Sequence, residues 1–228
     1  MTIKKDNLTS HSSSEYDISV RKTIPFYDNF HDETVNIIKA SSIEIGNWLD
    51  TGCGTGNLVR KAFAEFPGAR FILADPSREM IEQAKRNLDG LRGYFRFLPP
   101  VATQDLRIND KCDVITAIQS HHYLKPDERR AATLVCHGML EKSGIFVTFE
   151  NIRPLTKDGI KTGLSNWKAF QLKQGKAEKD AQKHIERFDK EYFPISIEEH
   201  LALYRECGFK TVEIFWMSYM QAGFYCIK

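Results

Sequence analysis

The residues of this chain whose types and spacing suit chemistry begin at Asp50-Thr51-Gly52-Cys53-Gly54-Thr55-Gly56. Glycines at alternate positions let a ligand come close to the backbone, because no Cβ stands in the way. A dinucleotide loop would read GxGxxG, with a pyrophosphate seated on the following helix N-terminus. Here the third glycine falls one residue early and Asn57 takes its place, while an acid, Asp50, stands ahead of the first glycine. A second acid, Asp75, ends the apolar run Phe71-Ile72-Leu73-Ala74 about twenty residues on, where a carboxylate can accept two hydrogen bonds from a vicinal diol. The ligand these groups suit carries an amine and a sugar diol and needs no phosphate site.

S-adenosylmethionine has that chemistry: an ammonium, a sulfonium and a ribose diol. Asp50 can face the ammonium, directly or through water, and Asp75 the ribose. Gly52, Cys53, Gly54 and Gly56 form the loop, with Pro76 and Met80 after the second strand and Gln119 after the fourth as further expected contacts.

The elements that must position these groups follow from periodicity. Tyr27, Phe30, Thr34, Ile37 and Ile38 recur at helical spacing, with Pro25 placed for a helix start. A strand over 46–50 enters the glycine loop, and Leu58, Val59, Ala62, Phe63 and Phe66 form the apolar face of the next helix. Residues 71–74 read as a buried parallel strand, and Ser77 can cap a helix whose inner face holds Met80, Ile81, Ala84 and Leu88. Further strands are expected at 94–98, 113–118 and 145–149, with a helix over 126–140. Such alternation means an α/β fold, a Rossmann-like doubly wound sheet. Residues 151–195 interrupt it with two short amphipathic helices, a helical insertion after the fifth strand expected to form a lid. Ser196 and Glu199 then make a capping box, Gly208 stops that helix, and 211–218 pairs with 222–227 as a closing hairpin. We expect a disordered tail over 1–15 and a single domain over 16–228.

Asp50-Thr51-Gly52-Cys53-Gly54-Thr55-Gly56, Ala74-Asp75-Pro76-Ser77 and Cys112-Asp113-Val114-Ile115 resemble the successive motifs of class I methyltransferases, and Gln119-Ser120-His121-His122-Tyr123-Leu124 continues the likeness. The resemblance spans about 46–149 and implies a sheet of seven strands in order 3-2-1-4-5-7-6 with the last antiparallel. The family often places an Asp before the fourth strand to hold the adenine amino group; Ala102 stands there in this chain. Adenine would then fall to the backbone near Thr103, or to Gln104 or Asp105. Ile24-Pro25-Phe26-Tyr27, and the ending from Glu199-His200 to Cys207-Gly208-Phe209, resemble carboxy-S-adenosylmethionine synthases. In that family Tyr27 matches a tyrosine near the cofactor. The family's arginine for the extra carboxylate aligns with Leu203 here, which implies ordinary S-adenosylmethionine instead.

Methyl transfer needs the acceptor held in line with an activated carbon, and a base only when the acceptor arrives protonated. His121, His122 and Glu150 are the candidates, at the carboxyl ends of the fourth and fifth strands, where open α/β sheets bind ligands. For the acceptor, Tyr16 and Arg21 can fold over from the N-terminal segment, Trp167 and Phe170 can roof the site or pack in the core, and His184 can face the pocket from its helix. The expected activity is methyl transfer to O, N or S of a small-molecule acceptor. The alternatives are a carboxy-cofactor synthase acting in tRNA modification and a non-catalytic cofactor-binding regulatory subunit.

Composition sets the outer limits. A chain of 228 residues with net charge +2 and 27% charged residues offers no strong field for nucleic acid or an anionic membrane. The five cysteines are scattered without CxxC spacing, so neither a disulfide framework nor a metal site is expected. With no apolar run long enough to span a bilayer and no secretory signal, the expected location is cytoplasmic.

Overall fold

The computed structural model describes residues 16–228, and the tail expected over 1–15 lies outside them. Strands β1 (Asn47–Thr51), β2 (Arg70–Ala74), β3 (Tyr94–Phe97), β4 (Cys112–Ile118) and β5 (Leu140–Asn151) pair in parallel, and β6 (Thr211–Ser218) and β7 (Gln221–Ile227) complete the sheet. The order is β3-β2-β1-β4-β5-β7-β6, with β7 antiparallel to both neighbours, as the resemblance implied. The helices are α1 (Tyr16–Ser19), α2 (Tyr27–Ala40), α3 (Asn57–Glu65), α4 (Arg78–Leu88), α5 (Pro126–Met139), α6 (Lys157–Lys173), α7 (Glu178–Ile185) and α8 (Ile197–Glu206).

Alternation along the strands splits the core in two. Trp48, Phe71 and Leu73 pack with Val59 and Ile81 of α3 and α4 on one face, while Leu49, Ile72 and Phe146 pack with Cys136 and Tyr204 of α5 and α8 on the other. Both faces are covered, which is why the central strands read as unbroken apolar runs. A third cluster holds Val20, Phe30, Phe149, Trp167 and Tyr192, and joins α2 and the insertion to the carboxyl end of β5.

The local signals place the helix ends. Ser77 accepts a hydrogen bond from the Met80 amide at the start of α4, and the Ser196–Glu199 capping box opens α8. Thr156 caps α6, which at 17 residues is longer than the short helix expected there. β5 starts earlier than expected because Leu140 pairs with Cys112, across a register irregularity ahead of Val114. The parallel arrangement brings the loops after β1, β2, β4 and β5 to one edge of the sheet, and the candidate site is built there. Among the described residues, no helix is long and apolar enough to cross a membrane.

Candidate functional site

The glycines after β1 differ in what they make room for. A Cβ on Gly52 would stand 2.4 Å from the Ser120 Cβ, so this glycine lets the loops after β1 and β4 touch. A Cβ on Gly54 would meet nothing within 4 Å, and the residue sits at φ +52 on the wall of a cavity. Gly56 faces Ala84 instead, where a Cβ would come within 3.3 Å, and serves the packing of α3 against α4. Cys53 is buried and not on the cavity wall; its amide donates to the Ala74 carbonyl at 3.0 Å and joins the loop to β2.

The cavity holds about 690 Å³ of empty space, part of it open to solvent. Its lining includes Gly52 and Gly54 after β1, Asp75, Pro76 and Met80 after β2, Ala102 and Thr103, and Gln119, Ser120 and His121 after β4. Asp75 is buried and takes the Gly54 amide on Oδ2 at 2.9 Å and the Ser77 amide on Oδ1 at 2.8 Å. Each carboxylate oxygen can accept a second hydrogen bond, so both can serve a ribose diol as well. The cradle at Gly54 and this buried acceptor fit S-adenosylmethionine. We expect Asp75→Ala to weaken binding of S-adenosylhomocysteine by about 1–3 kcal/mol, measured by calorimetry, and an unchanged affinity would place the ribose elsewhere.

Other expected cofactor contacts take different places. Asp50 lies under the loop, not on the wall; its Oδ1 accepts from the Thr116 hydroxyl at 2.7 Å, and burial pushes its carboxyl up to about 7. Gln104 and Asp105 do not line the cavity, which leaves Ala102 and Thr103 at the position expected for adenine. Tyr27 stands behind the wall, hydrogen-bonded to Tyr16, and it is Tyr16 that reaches the cavity.

A second, smaller cavity, with about 410 Å³ of empty space that is partly open to solvent, adjoins the first, and Tyr16, Gln119 and Tyr123 belong to both walls. Gln119 adopts φ 54 and donates its amide to the Phe149 carbonyl at 2.7 Å, a turn that ends β4 and aims the next two histidines apart. His121 joins the first cavity, with Nε2 at 3.3 Å from the Thr103 hydroxyl, and burial lowers it to about 4. His122 lines the second, with Nδ1 at 2.9 Å from Glu150 Oε2.

Glu150 is wholly enclosed. Besides the imidazole, it accepts the His122 amide at 2.8 Å, the Thr148 hydroxyl at 2.7 Å and the His121 amide at 3.3 Å. Burial alone would raise its carboxyl, but the His122 hydrogen bond and the surrounding imidazoles outweigh it and hold the group down at about 2. An ionised carboxylate only accepts, so Nδ1 carries the hydrogen and Nε2 is left to take a proton. Glu150 orients this histidine and does not itself meet the cavity.

The insertion reaches the second cavity, though through residues other than the expected aromatics. His184, Arg187 and Tyr192 line it, together with Asn151 from β5 and Val20, Thr23 and Ile24 from the N-terminal segment. Arg187 is buried, with Nε on the Glu191 carboxylate at 2.6 Å and a hydrogen bond to Tyr123. The Tyr192 hydroxyl is buried without a partner among the described residues. Arg187 lies two residues past the end of α7, in the turn where its amide donates to the His184 carbonyl, and no helical periodicity marks it in the sequence. Trp167 is core: it is fully buried and its Nε1 donates to the Thr23 carbonyl at 2.7 Å. Phe170 packs on Tyr219, and Arg21 pairs with Asp28 at the surface; neither lines the cavity. Trp167→Ala is accordingly expected to cost about 3–5 kcal/mol of stability, read from denaturant unfolding, and a loss under about 1 kcal/mol would contradict a packing role.

Leu203 lies in α8 against the core between α8 and the sheet, and in neither cavity. The second cavity does meet a cation, Arg187. Among the described residues, no group of three or more His, Cys, Asp or Glu could hold a metal ion.

Comparison with known proteins agrees with this geometry. Residues 49–146 match the model of a methyltransferase domain. The chain is 22% identical to the carboxy-S-adenosyl-L-methionine synthase of Helicobacter hepaticus over 95% of its own length and 92% of that protein. It is 22% identical to the synthase of Nitratiruptor, over 92% of this chain and 87% of the relative. Among solved structures, a plantazolicin methyltransferase in complex with S-adenosylhomocysteine superposes with TM-score 0.70 at 15% identity, covering 94% of this chain and 90% of that one. An S-adenosylmethionine-dependent methyltransferase from Clostridium acetobutylicum gives 0.63 at 15% identity, over 94% and 96%.

Proposed function

We propose, for a chain that is a class I S-adenosylmethionine-dependent methyltransferase by sheet order and domain match, that the acceptor is a small molecule presenting a protonated nucleophile to His122. The observation that carries this reading is the pair of adjoining cavities, with a carboxylate-oriented imidazole in the second. Bound S-adenosylmethionine supplies a methyl carbon activated by the adjoining sulfonium. Gly52, Gly54, Asp75, Met80 and Thr103 would hold it. Tyr16, Gln119 and Tyr123, shared by both walls, would position the acceptor against it. Glu150 keeps the hydrogen of His122 on Nδ1, so Nε2 removes the acceptor proton as the new bond forms. The segment 178–192 and residues 16–24 cover this chemistry and exclude water.

A second reading has its own support. Arg187 and the unpartnered Tyr192 hydroxyl give the second cavity a place for a carboxylate, and the likeness to carboxy-S-adenosylmethionine synthases runs nearly the length of the chain. One experiment separates the two. Purified protein is incubated with S-adenosylmethionine and a panel of hydroxyl, thiol and amine acceptors, and in a parallel arm with carboxylic acids able to surrender their carboxyl group as its donor, and the nucleosides are read by mass spectrometry. Release of S-adenosylhomocysteine that depends on one acceptor class supports methyl transfer. A heavier, carboxylated nucleoside supports the synthase reading and rejects methyl transfer.

A further inference from the structure

Residues 16–24 touch both cavities; Val20 and Ile24 pack into the third core cluster and hold the later part of the segment, whereas its first turn has no such buried anchor. Helix α1 has four residues, none of them buried, far too few to hold a helix on propensity alone. Its position comes from tertiary ties. At one end, Asp17 Oδ1 accepts from the Thr55 hydroxyl and from Asn57 Nδ2, each at 2.7 Å. Thr55 lies between Gly54 of the cofactor wall and Gly56 of the α3–α4 contact, and Asn57 begins α3. At the other end, the Thr23 carbonyl takes Trp167 Nε1 at 2.7 Å and the Thr23 hydroxyl takes Lys176 Nζ at 3.0 Å, which fastens the segment to the insertion. Arg21 ties the first turn to α2, donating to the Asp17 carbonyl while paired with Asp28.

We propose that Asp17 is a positioning residue that makes the state of the glycine loop set the place of Tyr16, and so couples the cofactor cavity to the acceptor cavity. Tyr16 follows directly from its neighbour's anchorage. When the loop is ordered by cofactor, Asp17 holds α1 down, Tyr16 closes the wall that both cavities share, and Thr23 draws the insertion onto the acceptor side. Without that anchor, the glycine loop orders alone and the acceptor cavity gains nothing. Linkage makes the coupling reciprocal, so an acceptor that orders the insertion also tightens the cofactor. The inference rests on the cofactor reading above.

The test needs no acceptor, because S-adenosylhomocysteine alone is the probe. In the parent protein it should slow hydrogen exchange at 52–57, at 16–24 and at 178–192. Asp17→Asn keeps an oxygen that can accept both hydrogen bonds, and should retain this pattern with affinity within about 3-fold. Asp17→Ala should weaken S-adenosylhomocysteine by about 10-fold, the loss of two hydrogen bonds, and confine the slowing to 52–57. If Asp17→Ala still protects 178–192, or if Asp17→Asn is as defective as Asp17→Ala, the coupling role is overturned. Absence of binding in the parent protein would instead reject the cofactor reading on which it depends.

Discussion

Gly54→Val is expected to abolish binding of S-adenosylhomocysteine, with no heat in a titration that gives a saturable isotherm for the parent. The site has room for a side chain only because the cavity lies there: a Cβ at Gly54 meets no atom within 4 Å. A valine would fill space the ligand needs and would force a β-branched residue to φ +52, where Cβ crowds the backbone. The two effects can be told apart. Gly54→Ala carries the backbone strain with far less bulk, and should keep measurable affinity. Binding by Gly54→Val at parental strength would remove the glycine loop from the site.

His122→Ala should lower turnover by about 10²- to 10⁴-fold, the usual contribution of a positioned general base, while S-adenosylhomocysteine binds within a few-fold of parent. The split follows from geometry, since His122 lines the second cavity and is absent from the wall of the first. His121 is the internal control. It belongs to the cofactor wall and is held near 4 by burial, so it is neutral at working pH and hydrogen-bonded to Thr103. His121→Ala should therefore act on cofactor affinity more than on the chemical step. Full turnover by His122→Ala with an identified acceptor would show that the acceptor arrives already deprotonated, or that another group takes the proton.

Much of this was legible in the residues themselves. The runs of apolar residues determine strands and helices locally, and Ser77 and Ser196 cap the helices expected of them. The glycine loop and Asp75 were readable because their chemistry depends on neighbours in sequence: Asp75 is bonded to the Ser77 amide two residues on, and to Gly54 across one strand–helix–strand unit. The sheet order came from resemblance, since nothing in a strand's own sequence says which distant strand it will pair with.

The acceptor side is a different case. Whether His121 or His122 meets the second cavity is decided by the turn at Gln119, and Glu150 becomes the partner of His122 only because β4 and β5 lie side by side in register. Sequence left Trp167 and Phe170 to roof the site or to pack in the core, because an amphipathic helix has an apolar face whatever it packs on, and Trp167 turned toward the core. Arg187, Tyr192 and Asp17 reach the site from segments far apart in the chain, through contacts that close only when the insertion and the N-terminal residues dock on the same strand ends. Local propensity and side-chain type determined the elements and the cofactor loop, because those interactions span few residues. Which side chains share the acceptor cavity was left to tertiary packing, because that depends on how elements meet and no short stretch of sequence contains it.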